Sequence, residues 1–340
     1  MEQKMLAAVF KGEGRLVLEE RPVPRPTRPD DVLMRVEAAG ICGTDIHICE
    51  VPPGHPATAG IILGHEYVGQ VLEVGEKVTT LQPGDRAVVA PNLSCGICRY
   101  CRLGRPNQCE AGDALGIFQD GGFAPFSVVP ERALFKIAPE LPAEEAVYAE
   151  LLQCVFGGTG KVRIQPGESA VIMGAGPAGL CFLLVFKAAG ARPIIVSEVS
   201  PFRLDYASRL GADVVVNPLE DDLDKRVLEA TGVGADVVVD AAGSLFSASL
   251  SLVAKGGTVL LFGMNEQAVA PIRQNDITRN EIAVLGTYIG INKYPLVIKA
   301  LESGVLKPSV LTTHTLPLDQ IFDAFEVIKA GSAIKVVLTP

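Results

Sequence analysis

Hydrophobic and polar positions divide the chain into two stretches of different character. In the first stretch, up to about Pro139, short apolar runs are separated by glycine and proline. The clearest of these runs are DVLMRVEAAG, YVGQVLEVG, DRAVVAP and FAPFSVVP. Such runs, broken by Gly and Pro, are typical of strands joined by tight turns. We therefore expect an irregular, barrel-like β domain in this part of the chain.

From Glu168 onward the pattern changes to apolar strands alternating with helices. The predicted strands, apolar on both faces, are SAVIMG, PIIVSE, DVVVN, ADVVVDAAG, TVLLFG and IAVLGTY. The predicted helices between them are PAGLCFLLVFKAAG, SPFRLDYASRLGAD and SLFSASLSLVAKGG. This alternation indicates an α/β fold whose parallel sheet is covered on both sides. Two further helices, YPLVIKALESG and LDQIFDAFEVIKAG, and a strand, AIKVVLTP, are predicted near the end.

Composition and charge narrow the class of protein. Of the 340 residues, 48% are hydrophobic and 20% are charged, the mix of a packed globule. A net charge of −9 argues against a sequence-independent hold on phosphates, so no nucleic acid partner is expected. The longest apolar run, 170–186, is shorter than the ~20 residues of a membrane-spanning helix and contains GAGPAG. We therefore expect no membrane segment.

The cysteine content suggests metal binding. No signal peptide is recognisable, so we expect a cytoplasmic protein whose thiols stay reduced. Eight cysteines in such a protein indicate metal sites before disulfides.

A glycine-rich turn predicts a dinucleotide site. The stretch VIMGAGPAGL places Gly174, Gly176 and Gly179 in a G-x-G-x-x-G pattern, with Pro177 and Ala178 between the last two. The glycines permit a tight turn and let the backbone approach a pyrophosphate at the helix N-terminus. A tight turn without a ligand is the alternative. The strand before the pattern and the helix after it favour the dinucleotide.

A carboxylate at the end of the next strand indicates which dinucleotide. Glu198 follows Gly179 by nineteen residues. It can accept hydrogen bonds from the adenosine ribose and would repel a 2′-phosphate, which favours NAD over NADP. Arg203 can stack on adenine or assist an NADP phosphate, so both dinucleotides stay open at this point.

Four cysteines form the strongest metal motif. Cys95, Cys98, Cys101 and Cys109 follow the spacing C-x2-C-x2-C-x7-C. Four thiolates on one loop suit tetrahedral Zn²⁺ with every position filled, hence a structural site. An iron–sulfur cluster is the alternative, but the bacterial pattern continues x3-C-P. Here the fourth cysteine comes after seven residues and is followed by Glu110, so zinc is favoured.

A second candidate metal site has three kinds of ligand. Cys42 lies in GICGTDIH, and His65 and Glu66 lie in GHEYVG. A thiolate, an imidazole and a carboxylate can bind zinc while leaving one position open. Spacing alone leaves a second interpretation, in which each is an ordinary core residue.

Taken together, these motifs resemble the zinc-dependent medium-chain dehydrogenases, the family of alcohol and sorbitol dehydrogenases. The shared features are GICGTDIH, GHEYVGQVLEVG, PGDRAVV, the four-cysteine lobe, GAGPAG and Glu198, in that order. The resemblance implies a GroES-like β-barrel catalytic domain over 1–150, with a zinc lobe at about 92–112. It also implies an NAD-binding Rossmann domain over 151–286 and a segment, 287–340, that returns to the catalytic domain.

The resemblance also implies roles for individual residues. Cys42 and His65 occupy catalytic zinc-ligand positions, with Glu66 as the adjacent carboxylate ligand. Glu150 falls where polyol-type members carry an acid close to the metal, bound directly or through water. A carboxylate that merely stabilises a helix start is the other interpretation of Glu150. With the four-cysteine lobe, two zinc ions per chain are expected.

A proton relay follows from the same resemblance. Thr44 stands where a hydroxyl contacts the substrate oxygen, and His47 where an imidazole passes the proton to solvent. Zinc lowers the pKa of the substrate hydroxyl, and hydride passes to the nicotinamide. Asp45 receives no role beyond local hydrogen bonding.

The substrate class is an alcohol and its ketone. We expect a secondary alcohol of the polyol type, yet the sorbitol enzymes carry an aromatic–arginine pair where this chain has Tyr288 and Ile289. Asn292 and Lys293 are alternative polar contacts. Threonine at its 3-hydroxyl and simple secondary alcohols are therefore further candidates. A homodimer or homotetramer is expected, with the late strands extending a sheet across a two-fold axis.

Two rival functions make different predictions. A zinc-free reductase of the same family would lack catalytic ligands, whereas Cys42, His65 and Glu66 are all present. The second rival is a zinc-lobe protein that binds nucleic acid or a partner and uses a Rossmann domain as a redox sensor. Its only support is the positive charge that Arg99, Arg102 and Arg105 give to the lobe. The net charge of −9 argues against it.

Overall fold

A computed structural model describes residues 3–340, which divide into two compact units. The first unit comprises the chain up to Leu151 together with Ile291–Pro340, and the second comprises Leu152–Gly290. Each unit is built around a β-sheet of its own. The α/β class predicted from the sequence is confirmed.

The strands and helices are numbered here in chain order. The strands are β1 (Lys4–Phe10), β2 (Leu16–Pro22), β3 (Asp31–Gly40), β4 (Glu66–Val74), β5 (Arg86–Val89), β6 (Asn92–Leu93), β7 (Asp113–Ala114), β8 (Phe126–Pro130), β9 (Leu134–Ile137), β10 (Ala170–Met173), β11 (Ile194–Ser197), β12 (Val214–Val216), β13 (Ala235–Asp240), β14 (Val253–Leu261), β15 (Ala283–Gly286), β16 (Thr312–Pro317) and β17 (Lys335–Thr339). The helices are α1 (Gly43–Ile48), α2 (Arg99–Arg102), α3 (Ala143–Ala146), α4 (Ala149–Val162), α5 (Pro177–Ala188), α6 (Pro201–Arg209), α7 (Leu223–Thr231), α8 (Phe246–Leu252), α9 (Gln274–Asn280), α10 (Tyr294–Glu302) and α11 (Ile321–Lys329).

The first unit is organised around a seven-stranded sheet. Its strand order is β16-β17-β3-β4-β5-β9, with β8 also paired to β3. β3 is the hub, because it pairs antiparallel with β4, β8 and β17. Eight of its ten residues are buried, as expected for a strand covered on both faces. Residues far apart in sequence on β4 and β17 are thereby brought to the two sides of one strand.

The second unit is organised around a six-stranded parallel sheet. Its order is β12-β11-β10-β13-β14-β15. The chain moves outward in one direction from β10 and then in the other from β13, so the order reverses between these two strands. At such a reversal the loops at the carboxyl ends separate and leave a crevice for a ligand. The glycine-rich turn follows β10 and therefore lies at this crevice.

One predicted element is partly wrong. The helix predicted over SLFSASLSLVAKGG ends at Leu252, and β14 begins at once with Val253, earlier than the predicted strand TVLLFG. The pairing of β13 with β14 shifts register at this place, and Gly256 has a φ of 79°. The glycines that seemed to end a helix instead form an irregularity within a strand, which glycine permits at positive φ.

Some elements were not predicted at all. The hairpin of β1 and β2 and the helix α4 had no counterpart in the sequence prediction, the latter because two adjacent glycines, 157 and 158, interrupt its pattern. Among the helices of residues 3–340, none has the length and apolar character needed to cross a membrane.

Candidate metal centres and dinucleotide site

The four cysteines of the lobe converge in space. The sulfur atoms of Cys95, Cys98, Cys101 and Cys109 all lie within 4.8 Å of one another. Short local structure brings them together, since Cys98 precedes α2 and Cys109 follows a 3-10 turn. The backbone N–H groups of Cys95 and Cys98 donate to the sulfurs of Cys109 and Cys95, each at 3.3 Å.

The geometry of the lobe fits a single zinc ion. Tetrahedral Zn–S bonds of about 2.3 Å place the sulfurs about 3.8 Å apart, and the Sγ atoms of Cys98 and Cys109 are 4.0 Å apart. A cluster of several irons would hold its sulfurs further apart, so the alternative of an iron–sulfur cluster is disfavoured. Backbone N–H groups of Cys101 and Glu110 lower the pKa of Cys98 to about 6, whereas burial and the neighbouring sulfurs raise the pKa of Cys101 to about 11. A bound cation is what would hold all four as thiolates.

The second group joins Cys42, His65 and Glu66, whose ligand atoms also lie within 4.8 Å of one another. Cys42 stands at the start of α1, where its backbone N–H donates to Asp45 Oδ2 at 2.8 Å. The other oxygen, Asp45 Oδ1, is 3.5 Å from His65 Nδ1. One buried carboxylate therefore orients two candidate ligands at once, the role of an outer-shell acid at metal sites.

A turn of close-packed glycines places His65. Gly64 has a φ of 91°, and a Cβ there would overlap the ring of Phe123. The Gly64 carbonyl accepts a hydrogen bond from Gly122 N at 2.7 Å, and Gly116 lies so close that a Cβ would strike Gly64. Only glycine fits this turn, which delivers His65 and Glu66 to the start of β4.

The electrostatics of the second group favour a cation. Burial opposes the charged form of His65, but Asp45 and Cys42 outweigh it and raise the pKa of the imidazole well above its usual value. Glu66 Oε1 is buried without a hydrogen-bond partner among the described residues, and Asp45 Oδ1 and His65 Nδ1 have only their 3.5 Å contact with each other. Unpartnered buried polar atoms are costly unless a further group satisfies them. A zinc ion fits this donor set and this charge.

Glu66 has a partner that the sequence did not indicate. Its Oε2 accepts a hydrogen bond from Lys335 Nζ, and both side chains are almost completely buried. Burial raises the pKa of Glu66, but Lys335 and then His65 outweigh it and lower that pKa. Glu66 is thus ionised, with one oxygen held by lysine and the other, Oε1, unpartnered.

Glu150 is not part of this group. It is buried in the first turn of α4, a position at which the helix dipole favours a carboxylate. Within residues 3–340, the cluster able to hold a metal at Cys42 contains three ligands and does not include Glu150. Its contact with a metal stays a prediction, and the helix-start interpretation stays open.

The two predicted relay residues lie on α1. Thr44 is half-buried, with its Oγ1 3.7 Å from Cys42 Sγ. His47 is exposed, and its Nδ1 lies 3.1 Å from both carboxylate oxygens of Glu50. A carboxylate can only accept, so Nδ1 carries the hydrogen and Nε2 is left to exchange a proton. His55, eight residues after His47, has no part in this arrangement, and its Nδ1 lies 2.8 Å from the Pro56 carbonyl oxygen.

The glycine-rich turn has the form expected of a dinucleotide site. Gly174 has a φ of 101°, and its N–H donates to the Ser197 carbonyl at 2.8 Å. Gly176 caps α5, and Pro177 is the first helical residue, with Ala178 next. A Cβ at Gly179 would collide with the Gly174 carbonyl, whereas the space beside Gly176 is open. The helix N-terminus therefore faces free space in which an anion can bind.

Glu198 ties this turn to the next loop. Its Oε2 accepts from Ala175 N at 2.8 Å, and its Oε1 accepts from Val199 N and Ser200 N at 2.9 and 3.0 Å. Arg203 is half-buried, with Nη1 3.9 Å from Glu198 Oε2. The carboxylate thus shapes the loop, a task that the sequence pattern did not reveal, and it keeps lone pairs for further donors.

A comparison with families of known proteins identifies both units. Residues 28–139 match the alcohol dehydrogenase GroES-like domain, and residues 177–303 match the zinc-binding dehydrogenase domain. The chain is 36% identical to the L-threonine 3-dehydrogenase of Pyrococcus abyssi (strain GE5 / Orsay), with 99% of each chain covered. It is 33% identical to the sorbitol dehydrogenase of Bacillus subtilis (strain 168), covering 95% of this chain and 93% of the relative.

Solved structures give the same picture. A zinc-binding dehydrogenase from Sinorhizobium meliloti 1021, bound to NADP, is 32% identical to this chain and has a TM-score of 0.95. The superposition covers 100% of both chains. An alcohol dehydrogenase from E. coli CFT073, complexed with NADH, is 30% identical with a TM-score of 0.92, over 99% of both chains. The predicted GroES-like and Rossmann-like folds are confirmed.

Removing one lobe cysteine should damage folding first. Cys98→Ser deletes one of four ligands, and a structural metal site contributes its binding energy to folding. We expect one zinc fewer per chain, a lower thermal midpoint and reduced soluble yield, measured by metal analysis and calorimetry. Cys154→Ser is the matched control, since this thiol belongs to neither group. A Cys98→Ser protein with parental zinc content and thermal midpoint would contradict the structural role.

Gly176→Ala and Gly179→Ala should distinguish a loss of NADH binding from a loss of stability. Gly176 has an ordinary φ of −70° and open space beside it, so alanine fits; its entropic gain is offset by its poorer N-cap preference, and Gly176→Ala should change stability by less than about 1 kcal/mol. It should nevertheless weaken NADH about tenfold or more, because the methyl group takes the space of the pyrophosphate. Gly179→Ala should lower the thermal midpoint. Unchanged NADH affinity in a stable Gly176→Ala protein would remove the ligand from this turn.

Proposed function

The chain belongs to the zinc-dependent medium-chain dehydrogenase family and is an oxidoreductase acting on CH–OH groups, and we propose that it converts a secondary alcohol of the polyol type to the ketone with NAD. Zinc and a nicotinamide dinucleotide are its cofactors. In this proposal the first unit carries the catalytic metal and the second unit carries the dinucleotide.

One observation carries the proposal. The ligand atoms of Cys42, His65 and Glu66 converge in a site where Glu66 Oε1 is buried without a hydrogen-bond partner among the described residues, in a chain that also has an open dinucleotide turn. Cys42, His65 and Glu66 would hold the catalytic zinc, and the four lobe cysteines would hold the structural one. These ligands also argue against the zinc-free reductase, which has no use for them.

The chain's own residues would handle the proton. When bound, zinc would lower the pKa of the substrate hydroxyl, and NAD would accept the hydride. Thr44 lies close enough to Cys42 to accept the hydroxyl proton and relay it. His47, exposed and oriented by Glu50, would exchange that proton with solvent through Nε2. Asp45 would keep Cys42 and His65 in place during the reaction.

The preference for NAD rests on Glu198. Its carboxylate is fixed by backbone N–H groups just after β11, where the ribose of a dinucleotide would lie. A 2′-phosphate there would meet a negative charge. The similar Sinorhizobium structure binds NADP and the E. coli structure binds NADH, so the relatives allow either cofactor.

The substrate proposal keeps two alternatives. The sorbitol dehydrogenase relative supports a polyol, and the threonine dehydrogenase relative supports threonine at its 3-hydroxyl. Simple secondary alcohols are the third class. Ile289, in place of the arginine of the sorbitol enzymes, favours a substrate with fewer hydroxyl groups than a linear hexitol. Ile289 also has a φ of 51°, which is unusual for a β-branched residue.

We further propose assembly into a homodimer or homotetramer in the cytoplasm. β15 lies at the edge of its sheet, with Ala283 exposed and its hydrogen-bonding side available to a second copy. Light scattering of the native protein gives the number of subunits. The thiolate ligands of both metal sites require a reducing compartment, which supports the location.

Turnover across substrate classes tests the function directly. NAD reduction would be followed with linear and cyclic polyols, small vicinal diols, L-threonine and simple secondary alcohols. The highest kcat/KM is expected for a diol or polyol with a secondary hydroxyl. If L-threonine exceeds every polyol at least about tenfold in kcat/KM, the threonine alternative replaces the proposal. If no alcohol is turned over by zinc-loaded protein, the enzyme assignment fails.

Removing the thiolate of the second group should remove one zinc. The parent is expected to hold two zinc ions per chain, on the two ligand groups. Cys42→Ser should keep the lobe zinc, lose the other and lose turnover, because serine is a poor ligand. Elemental analysis with circular dichroism provides the check. Two zinc ions retained by a folded Cys42→Ser protein would place the catalytic metal elsewhere.

Replacing Glu198 should relax the preference for NAD. In Glu198→Ala the repulsion of a 2′-phosphate disappears, so the ratio of kcat/KM for NAD over NADP should fall about tenfold. The variant also loses acceptors for three backbone N–H groups, which costs about 1–3 kcal/mol of stability. Ser200→Ala, which removes the cap of α6, controls for that loss. An unchanged ratio would rule out Glu198 as the selective group.

A further inference from the structure

Lys335 reaches the second metal group from a distant part of the chain. It lies 269 residues after Glu66 and donates from Nζ to Glu66 Oε2. Its side chain is only 2% exposed, and that of Glu66 is 1% exposed. Removing a lysine from water is costly unless a partner of opposite charge compensates it. Neither the motifs nor the resemblance gave this residue a role.

The sheet is built to admit this pair. β3 runs between β4 and β17, and Gly40 on β3 stands opposite Glu66 on one side and Val337 on the other. A Cβ at Gly40 would lie 2.7 Å from Glu66 Oε2 and 2.9 Å from Lys335 Cε. Because Gly40 has no side chain, it leaves the space in which Glu66 and Lys335 form their ion pair.

The ion pair with Lys335 makes the two carboxylate oxygens of Glu66 different from each other. Oε2 is taken by Lys335, whereas Oε1 is buried without a hydrogen-bond partner among the described residues. A carboxylate shared with an ammonium group donates less charge to a metal than a free one. The positive charge of Lys335 also repels a divalent cation a few ångströms away.

We infer that Lys335 is a positioning residue that holds Glu66 by Oε2 and weakens its grip on the catalytic metal. Glu66 is thereby kept as a weakly held ligand, which can yield to the substrate oxygen when it binds at the open position. The inference rests on the proposed function, because it takes Cys42, His65 and Glu66 as the metal site.

The direction in which metal affinity changes when Lys335 is removed distinguishes this role from a merely structural one. If Lys335 only stabilised the site, its removal would loosen the ligands and weaken metal binding. If it restrains Glu66, its removal should strengthen metal binding. The freed carboxylate would then turn to the metal, and a repelling charge would be gone.

The decisive variant is Lys335→Met, which keeps an unbranched side chain of similar length without the charge. Zinc affinity would be measured on the full-length protein by competition with a chromophoric chelator. The catalytic phase of zinc release is the one missing from Cys42→Ser. We expect Lys335→Met to bind this zinc at least about tenfold more tightly than the parent. Its thermal midpoint should also rise more on zinc addition than that of the parent.

Three further variants complete the design. Lys136→Met removes a lysine paired with Asp85 at the surface and should leave zinc affinity unchanged. Lys335→Arg keeps the charge and should return the affinity to within about threefold of the parent. If Lys335→Met does not fold, Lys335→Gln keeps a donor for Oε2 without the charge and should also bind zinc more tightly.

Cobalt provides a readout independent of turnover. With Co²⁺ in the catalytic site, Lys335→Met should change the visible absorption bands, because the carboxylate coordinates more strongly. Equal or weaker metal affinity in folded Lys335→Met and Lys335→Gln would overturn the inference alone. A parent that lacks the zinc phase attributed to Cys42 would instead overturn the proposed function.

Discussion

Buried charge is the constraint on which the first unit depends. Asp45 and Glu66 are wholly withdrawn from solvent, beside His65 and Cys42. Such groups are tolerable in a protein interior only when opposite charge lies next to them. Lys335 supplies one positive charge and a bound metal would supply the rest. The seven-stranded sheet, with β3 between β4 and β17, brings these contributions to one place.

The catalytic metal group and the dinucleotide site both depend on a glycine at which the chain packs too closely against a neighbouring residue for any side chain to fit. At Gly64 and at Gly179 a single Cβ would strike a neighbouring residue, so a larger side chain would displace the turn. The first turn delivers His65 and Glu66, and the second presents the N-terminus of α5. In each case the chemistry lies on a regular element and the glycine fixes where that element begins. The same physical device thus serves a metal site and an anion site.

The sequence predicted those features that local spacing determines. The four cysteines fall within fifteen residues, and the glycine-rich turn lies between a strand and a helix, so both were recognisable without a fold. The pairing of Lys335 with Glu66 was not, because it depends on which strands are neighbours across 269 residues. The contact of Asp45 with His65 was missed for a related reason, since it exists only once the turn before β4 packs against α1. The end of α8 was misplaced because glycines permit an irregular strand as readily as a helix end.

Glu66 and Lys335 are in contact but lie 269 residues apart in sequence, which affects the order in which the two metal sites can form. All four ligands of the cysteine lobe have been synthesised once residue 109 is added, so that site can close long before β17 is made. The carboxylate at position 66 waits until β17 emerges and pairs with β3 before its counter-charge arrives. The metal centre therefore cannot reach its final electrostatic state before β17 has paired with β3. The docking of this strand is itself the step that sets the reactivity of the site.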